Sequence, residues 1–424
     1  MKKVPPLERL SKEIGEVLSG DSGEQGNMLE ELIERSVRMV MQRILEQEVT
    51  DYLGRGYFER NSESRRGHRN GYEGKSLKTA EGKMRLEVPQ VRGSEETYRS
   101  EFLKNLDGLT PGLRRLAVEM YARGLSTRDI EETLRDRETG KLLLSKDAVS
   151  ELTEELWEEY ERFCERDLSG FDVVYLFVDA VYESLRQMAG MKEAILCCWA
   201  ITSGGHKVLL HIGLGNKESY HSWVEFFRHM QRRGLRMPLL VTSDGAPGLI
   251  KAIAECFSES KRQRCTFHKL QNIRNKLPQE VLDELYPKIR SVFYQTDAEI
   301  ARMVAAKIID EYAEKYPSAI KCFQEDFDSC IQHMAFPAGH QKHIMTTNLL
   351  ERAFGEQKRR TKIIPRFFDE KSCLKLVYAT MVRASQKWRR VKMSAFDLAL
   401  LRNIRKLYDW EENGDGFISK KAVA

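Results

Sequence analysis

The chain has 424 residues, of which 31% are charged, yet its net charge is only +5. Such a length exceeds one simple core and implies two or three domains, and the near balance of charge means that any contact with a polyanion must come from local clusters. The longest apolar run, Ala194 to Ile201, is far short of the roughly 20 residues a membrane helix needs, and eight cysteines without paired spacing read as reduced thiols rather than a disulfide framework.

Residues 1–27 form a polar tail in which Leu7 to Leu18 suits a short helix. Residues 28–107 begin with a helical pattern from Met28 to Tyr52, whose stripe of Leu29, Leu32, Ile33, Val37, Val40, Met41, Ile44 and Leu45 calls for a covering helix or a second subunit. A basic strand and turn region follows. Arg55, Arg60, Arg65, Arg66 and Arg69 are interleaved with glycines, which suits a phosphate backbone, although a solvated loop reads equally well. Asn70-Gly71 signals a turn, and Met84 to Pro89 alternates at the period of a strand.

Residues 108–168 read as a helical, helix-turn-helix-like DNA-binding domain. Leu113 to Arg123 is followed by Gly124 and by a helix with Ser126 as N-cap and Asp129 three residues on; a third helix runs from Asp147 to Cys164. That third helix is acid-rich, which argues against base readout by it.

From Phe171 the pattern turns to strands. Asp172 to Val178, Glu193 to Ile201 and Lys207 to Gly213 come first, then a helix from Tyr220 to Arg232, a strand from Pro238 to Ser243, a helix from Pro247 to Cys256 and a basic extended run into Phe267. That order matches a ribonuclease-H-like α/β core with a mixed five-stranded sheet, divided into 169–275 and 344–403 by an all-α insertion at 276–343. A mostly helical N-terminal DNA-binding region precedes it, and a polar tail at 404–424 ends the chain.

Three acids stand out in this order. Asp179 ends Tyr175-Leu-Phe-Val-Asp179, Asp244 ends Leu239-Leu-Val-Thr-Ser-Asp244, and Glu351 lies in Thr347-Asn-Leu-Leu-Glu351-Arg-Ala-Phe354 on a helix. An isolated Asp at a strand end is more often a turn or cap residue. Together the three supply carboxylates from separate elements, the donor type that Mg2+ prefers, and two such ions roughly 4 Å apart would suit phosphodiester chemistry. Lys358 is seven residues beyond Glu351, nearly in line on the helix, and Lys358-Arg-Arg-Thr-Lys-Ile-Ile-Pro-Arg366 carries five positive residues and no acid. Two further basic stretches span Lys261 to Lys276 and Arg383 to Lys392. Cys265-Thr-Phe-His268 has half of a zinc-site spacing; Cys330, His333, His340 and His343 are candidates for the other half, and no compact pair completes it. The plainer reading packs Cys265 below the sheet and lets His268 hydrogen-bond near the active-site edge.

These residues make the chain resemble the Mutator-type transposases of bacterial insertion sequences. The segments that carry the resemblance are Val178-Asp-Ala-Val-Tyr182, Ser222-Trp-Val-Glu-Phe-Phe227, Arg233-Gly-Leu235, Thr242-Ser-Asp-Gly245 with Gly248-Leu249, Gln263-Arg-Cys-Thr-Phe-His268 with Arg274-Asn275, and Thr347 to Phe354 leading into Lys358 to Lys362. Arg69-Asn-Gly-Tyr72 and Leu86-Glu-Val-Pro89 extend it toward the N-terminus.

The resemblance implies a DDE site of Asp179, Asp244 and Glu351, two Mg2+ ions for which Mn2+ substitutes, and a Cys-x2-His element at Cys265 and His268. The implied substrates are the terminal inverted repeats of the element and a double-stranded target. A homodimer or larger assembly on DNA, in the bacterial cytoplasm with the nucleoid and without membrane association, is expected. Arg352, Lys358, Arg359, Arg360 and Lys362, with Cys265, His268, Arg65, Arg66 and Arg69, are the expected DNA contacts. Two other readings are a transposase-derived DNA-binding protein without chemistry, which an altered triad would favour, and a ribonuclease-H-like hydrolase that only cuts.

Overall fold

The computed structural model describes residues 5–19, 28–56, 59, 67–104, 106, 108–136, 139–185, 192–215, 218–362, 364, 367–407, 410–413 and 416–419. The chain forms two compact units, Met1–Glu155 and Leu156–Ala424.

In the first unit, α1 (Pro6–Leu18) packs on the long α2 (Met28–Leu53), and α2 packs on an antiparallel hairpin of β1 (His68–Lys78) and β2 (Lys83–Arg92). Leu45, Leu77, Met84, Leu86 and Leu103 make the shared core. Gln42 is buried and reads the edge of β2 on both sides: its amide nitrogen donates to Glu87 O at 2.6 Å and its oxygen accepts from Glu87 N–H at 3.0 Å. An otherwise open strand edge is thereby paired. Asn70-Gly71, expected as a turn, lies inside β1 as an irregularity in register between Arg69 and Tyr72, with Gly71 at φ 80°. Reversal occurs instead at Thr79 and Gly82, whose backbones exchange hydrogen bonds. A glycine with positive φ serves a bulge as well as a turn, so the dipeptide alone does not decide between them.

Beyond the short α3 (Glu101–Lys104) come α4 (Pro111–Ala122), α5 (Thr127–Thr133) and α6 (Lys146–Leu152). Ser126 and Asp129 form the expected reciprocal capping box on α5. The single helix expected from Asp147 to Cys164 is divided at Thr153, where α6 gives way to α7 (Glu154–Glu165). Thr153 turns its hydroxyl back onto Ser150 O at 2.8 Å, a local bond that competes with helix continuation.

The second unit is built on a mixed sheet of five strands: β3 (Val173–Ser184), β4 (Lys192–Thr202), β5 (Lys207–Leu214), β6 (Leu240–Ser243) and β7 (Lys261–Arg264), in the spatial order β5-β4-β3-β6-β7. β4 runs antiparallel to both β3 and β5, whereas β6 runs parallel to β3 and β7 parallel to β6. The strand alternation divides the two faces. Leu176, Val178, Leu196 and Cys198 face α8 (Tyr220–Arg232) and α9 (Pro247–Cys256) through Trp223, Phe227, Leu249 and Ile253. On the other face Phe177 stacks on Trp199 at 3.9 Å, with Trp388 5.5 Å from Trp199.

A helical segment follows β7: α10 (Thr266–Arg274), α11 (Leu282–Phe293), α12 (Ala298–Tyr312), α13 (Pro317–Gln324), α14 (Phe327–Cys330) and α15 (Ala338–Ile344), with its own core around Leu285, Ile289, Phe293 and Phe323. The chain returns through α16 (Asn348–Thr361), α17 (Glu370–Ser385) and α18 (Ala395–Leu407), and a short hairpin of β8 (Trp410–Asn413) and β9 (Gly416–Ser419) follows. The segment before α18 docks on the β4–β5 turn, where Val391 N–H donates to Gly205 O at 2.9 Å. A Cβ at Gly205, which has φ 75°, would lie 2.0 Å from Val391 O, so only glycine permits this approach.

Candidate active site

Two neighbouring parallel strands set the first two acids level with one another. β3 and β6 pair through Tyr175 with Leu240, Leu176 with Val241 and Phe177 with Thr242; two residues beyond the last pair come Asp179 and Asp244. β3 does not stop at Asp179, as its apolar run suggests. It continues through Ala180, Val181 and Tyr182 to Ser184, still paired with β4, because those residues also suit a strand. The apolar run thus marks where the parallel pairing ends rather than where the strand ends. Asp179 Oδ1 accepts from Ala180 N–H at 2.9 Å, and Asp244 Oδ1 accepts from Ala246 N–H at 3.0 Å, which fixes the turn into α9.

The third acid arrives by a separate route. The chain returning from the helical segment is hydrogen-bonded to the ends of β6 and β7: Thr242 Oγ1 donates to Ile344 O at 2.8 Å, and Thr266 N–H to Met345 O at 3.0 Å. Thr347 N–H and Oγ1 both lie 3.4 Å from Cys265 Sγ. α16 starts from this anchored point, so its first turn brings Glu351 to the same sheet edge, with the carboxylate 3.3 Å from Thr347 Oγ1 and 3.7 Å from His268 Nε2.

The three acids act on one another electrostatically. Burial raises the Asp179 carboxyl to about 7; the nearby Asp244 and Glu351 charges push the same way, while His268 opposes them. Burial also raises Glu351, partly offset by His268 and the Thr347 hydroxyl. The Cys265 sulfur holds His268 up to about 9 against its own burial, with the Asp179 and Glu351 charges adding to the effect. His268 is therefore the positive charge set among carboxylates that repel one another.

A family model for the Mutator family of transposases matches residues 10–391. The chain belongs to that family. It is 32% identical over 354 residues to the transposase for insertion sequence element ISRM5 of Rhizobium meliloti, covering 83% of this chain and 87% of the relative. It is 31% identical over 272 residues to the transposase for IS6120 of Mycolicibacterium smegmatis, covering 64% and 84%, and 29% identical over 354 residues to the transposase for IS256 in transposon Tn4001 of Staphylococcus aureus, covering 82% and 89%.

In this Mutator-family chain the basic residues beyond Glu351 are divided in their surroundings. Arg359 and Arg360 both pair with Glu356, the latter at 2.7 Å, whereas Arg352, Lys358 and Lys362 are exposed. Lys358, Arg359 and Lys362 line an open groove of about 550 Å³ with Lys192 at the start of β4, and Tyr182 and Glu183 of β3 form part of its wall. Sequence reading missed Lys192 because nothing local marks it; only the β3–β4 pairing brings it beside α16. Thr347, which the sequence reading quoted only as the start of the Glu351 segment, turns its hydroxyl to Cys265 and Glu351.

The stretch from Lys261 to Lys276 is less available than its composition suggests. Arg262 and Arg264 are both paired with Asp326, and the buried Lys269 donates to Glu325 O. Arg69 donates to Thr50 Oγ1 at 2.8 Å and ties β1 to the end of α2, while Arg65 and Arg66 lie outside the described residues. Cys265 is fully buried, its sulfur turned to the site. Among the described residues no helix is long and apolar enough to cross a membrane.

Proposed function

We propose that this chain is a DDE transposase of a bacterial insertion sequence, which binds the terminal inverted repeats of its element, frees a 3′-hydroxyl at each end and joins it to target DNA. The observation that carries this reading is the level placement of Asp179 and Asp244 on adjacent parallel strands, with Glu351 delivered to the same edge by α16. The strand order β5-β4-β3-β6-β7, three antiparallel strands and then two parallel ones, supports a ribonuclease-H-like core interrupted by the α10–α15 segment.

The donor set fits a hard divalent cation: carboxylates from three elements, one buried and held up to about 7, constitute a site whose charge calls for a counter-ion. Asp179, Asp244 and Glu351 would hold it. Two bound ions of the Mg2+ class, with Mn2+ able to substitute, would supply an activated water and stabilise the leaving oxygen at phosphorus. The chain's own part is to keep the three acids on one rigid edge, to balance their charge through His268 until DNA and cation arrive, and to hold the phosphate backbone along the groove of Lys192, Lys358, Arg359 and Lys362. Water attack at the element end breaks the P–O3′ bond and leaves a 3′-hydroxyl. That hydroxyl then attacks a target phosphodiester, exchanging one P–O bond for another.

Residues 28–168, with the basic hairpin and the capped α4–α5 pair, are assigned to recognition of the ends. A homodimer or larger assembly is supported by α2. Leu29, Ile33, Val37, Val40 and Ile44 remain exposed on one stripe at the spacing of a helix–helix seam. Two copies meeting there would bury on the order of 1,000 Å², the lower bound of a specific interface. Bacterial cytoplasm, at the nucleoid, is the proposed location.

A test uses oligonucleotides carrying the element's own ends. Wild type with Mg2+ should release a 3′-hydroxyl and join it to a second duplex, whereas Asp179→Asn, Asp244→Asn and Glu351→Gln should each lose both products and keep end binding. Cleavage without joining would favour a simple hydrolase.

A further inference from the structure

We infer that Cys265, His268 and Glu351 form a second cation site, suited to a borderline-soft divalent ion of the Zn2+ class, that takes the catalytic glutamate as its third ligand. Among the described residues these three bring one ligand atom each to within 4.8 Å of the others. A thiolate, an imidazole and a carboxylate are the donors Zn2+ accepts, whereas Mg2+ discriminates against sulfur and nitrogen.

The surroundings of each donor suit this use. The sulfur lies 3.4 Å from both the backbone N–H and the hydroxyl of Thr347, the kind of outer contact that holds a metal-bound thiolate. Cys265 also stands at the N-cap of α10 and His268 in its first turn, so one helix start supplies two of the donors. His268 Nδ1 is buried with no hydrogen-bond partner within range, Nε2 lies 3.7 Å from the glutamate, and the ring's strongest interaction is with the Cys265 sulfur, so its neighbours are the other two ligands. The His268 and Glu351 side chains keep 34% and 25% exposure, which leaves an entrance for an ion. Cys330, His333 and His340 are occupied elsewhere: Cys330 Sγ is 3.4 Å from Asp326 O, His333 meets Gln263, and His340 lies between Tyr175 and Lys392 O; His343 does not join the cluster either. Among the described residues no fourth His, Cys, Asp or Glu joins the three.

Binding would release two protons to solvent, one from the Cys265 thiol and one from the His268 imidazolium, leaving a thiolate and a neutral imidazole as ligands. Resting on the DDE reading for the role of Glu351, the inference has a regulatory consequence. A soft ion at Cys265 and His268 would compete with the hard cations for the Glu351 oxygens, and Zn2+ is expected to inhibit cleavage.

The test is titration of the metal-free full-length protein with Co2+, whose sulfur-to-metal charge-transfer absorption reports a thiolate ligand. Wild type should bind one equivalent with that band, Zn2+ should abolish it, and a large excess of Mg2+ should not. Cys265→Ser should lack the band, and Glu351→Gln should keep it with affinity reduced at least tenfold. Co2+ binding without the band, a band that survives Cys265→Ser, or no binding at all would overturn the assignment. If Cys265→Ser does not fold, His268→Ala and Glu351→Gln decide, and unchanged affinity in both is fatal to it. No DNA is present in this experiment. Loss of the band leaves the DDE reading standing, and an intact band with no metal-dependent cleavage counts against that reading alone.

Discussion

Asp179 carries the largest electrostatic cost of the site. Its carboxyl is held at about 7 by burial first and by Asp244 and Glu351 next. A folded-state pKa raised above the unfolded value means that the native state binds the extra proton between pH 4 and 7, so this group's contribution to stability falls as pH rises through that window and is constant above it. His268, held at about 9, adds a second loss between its ordinary value near 6.5 and 9. Asp179→Asn should therefore stabilise the metal-free protein at pH 7.5 by roughly 2–4 kcal/mol relative to wild type, with little difference at pH 4. Denaturant melts at the two pH values check this, and an equal difference at both would remove the carboxylate as its cause. Added Mg2+ should narrow the gap by stabilising wild type alone.

At the scale of elements, the site depends on how the returning chain is fastened to the sheet. Thr242→Val keeps the shape of β6 but leaves the buried Ile344 carbonyl without its partner, and should cost about 1–2 kcal/mol. Its effect on cleavage should exceed its effect on end binding, because α16 carries Glu351 from that anchor; equal loss of both would point to general unfolding. Gly205→Ala should cost more than about 2 kcal/mol, since the turn requires positive φ and Val391 O occupies the space of a Cβ.

These elements also show what was legible in the sequence. The strands β3 to β6 and the α8 and α9 helices are marked by apolar pattern, and α5 by its capping box, because those signals are local; β8 and β9 lie in a stretch that reads as a polar tail. The long-range features are not. Register between β3 and β6, the anchoring of Ile344 by Thr242, and the approach of Lys192 to α16 depend on pairings between distant segments. Arg262 and Arg264 read as a basic patch because the acid that neutralises them, Asp326, lies in the helical segment. Composition counts charge but does not place its partner.

For the whole molecule, the proposed DNA binding and the proposed assembly can be tested separately. Lys358→Ala with Lys362→Ala should lower the magnitude of the log-log salt slope of DNA affinity by about 2 if both meet phosphates along the groove. An unchanged slope would move the DNA path elsewhere. Ile33→Glu with Val40→Glu, on the outer stripe of α2, should halve the solution mass of the assembly while leaving helicity intact, as light scattering and circular dichroism would show. An unchanged mass would exclude that face as the interface.

The most direct measurement is nicking of supercoiled plasmid in Mg2+ or Mn2+ by wild type beside Asp244→Asn. Metal-dependent nicking by wild type that is lost in the variant, with DNA binding retained by both, is the expected result. Equal nicking by the two proteins would contradict a catalytic role for Asp244 and with it the three-acid site.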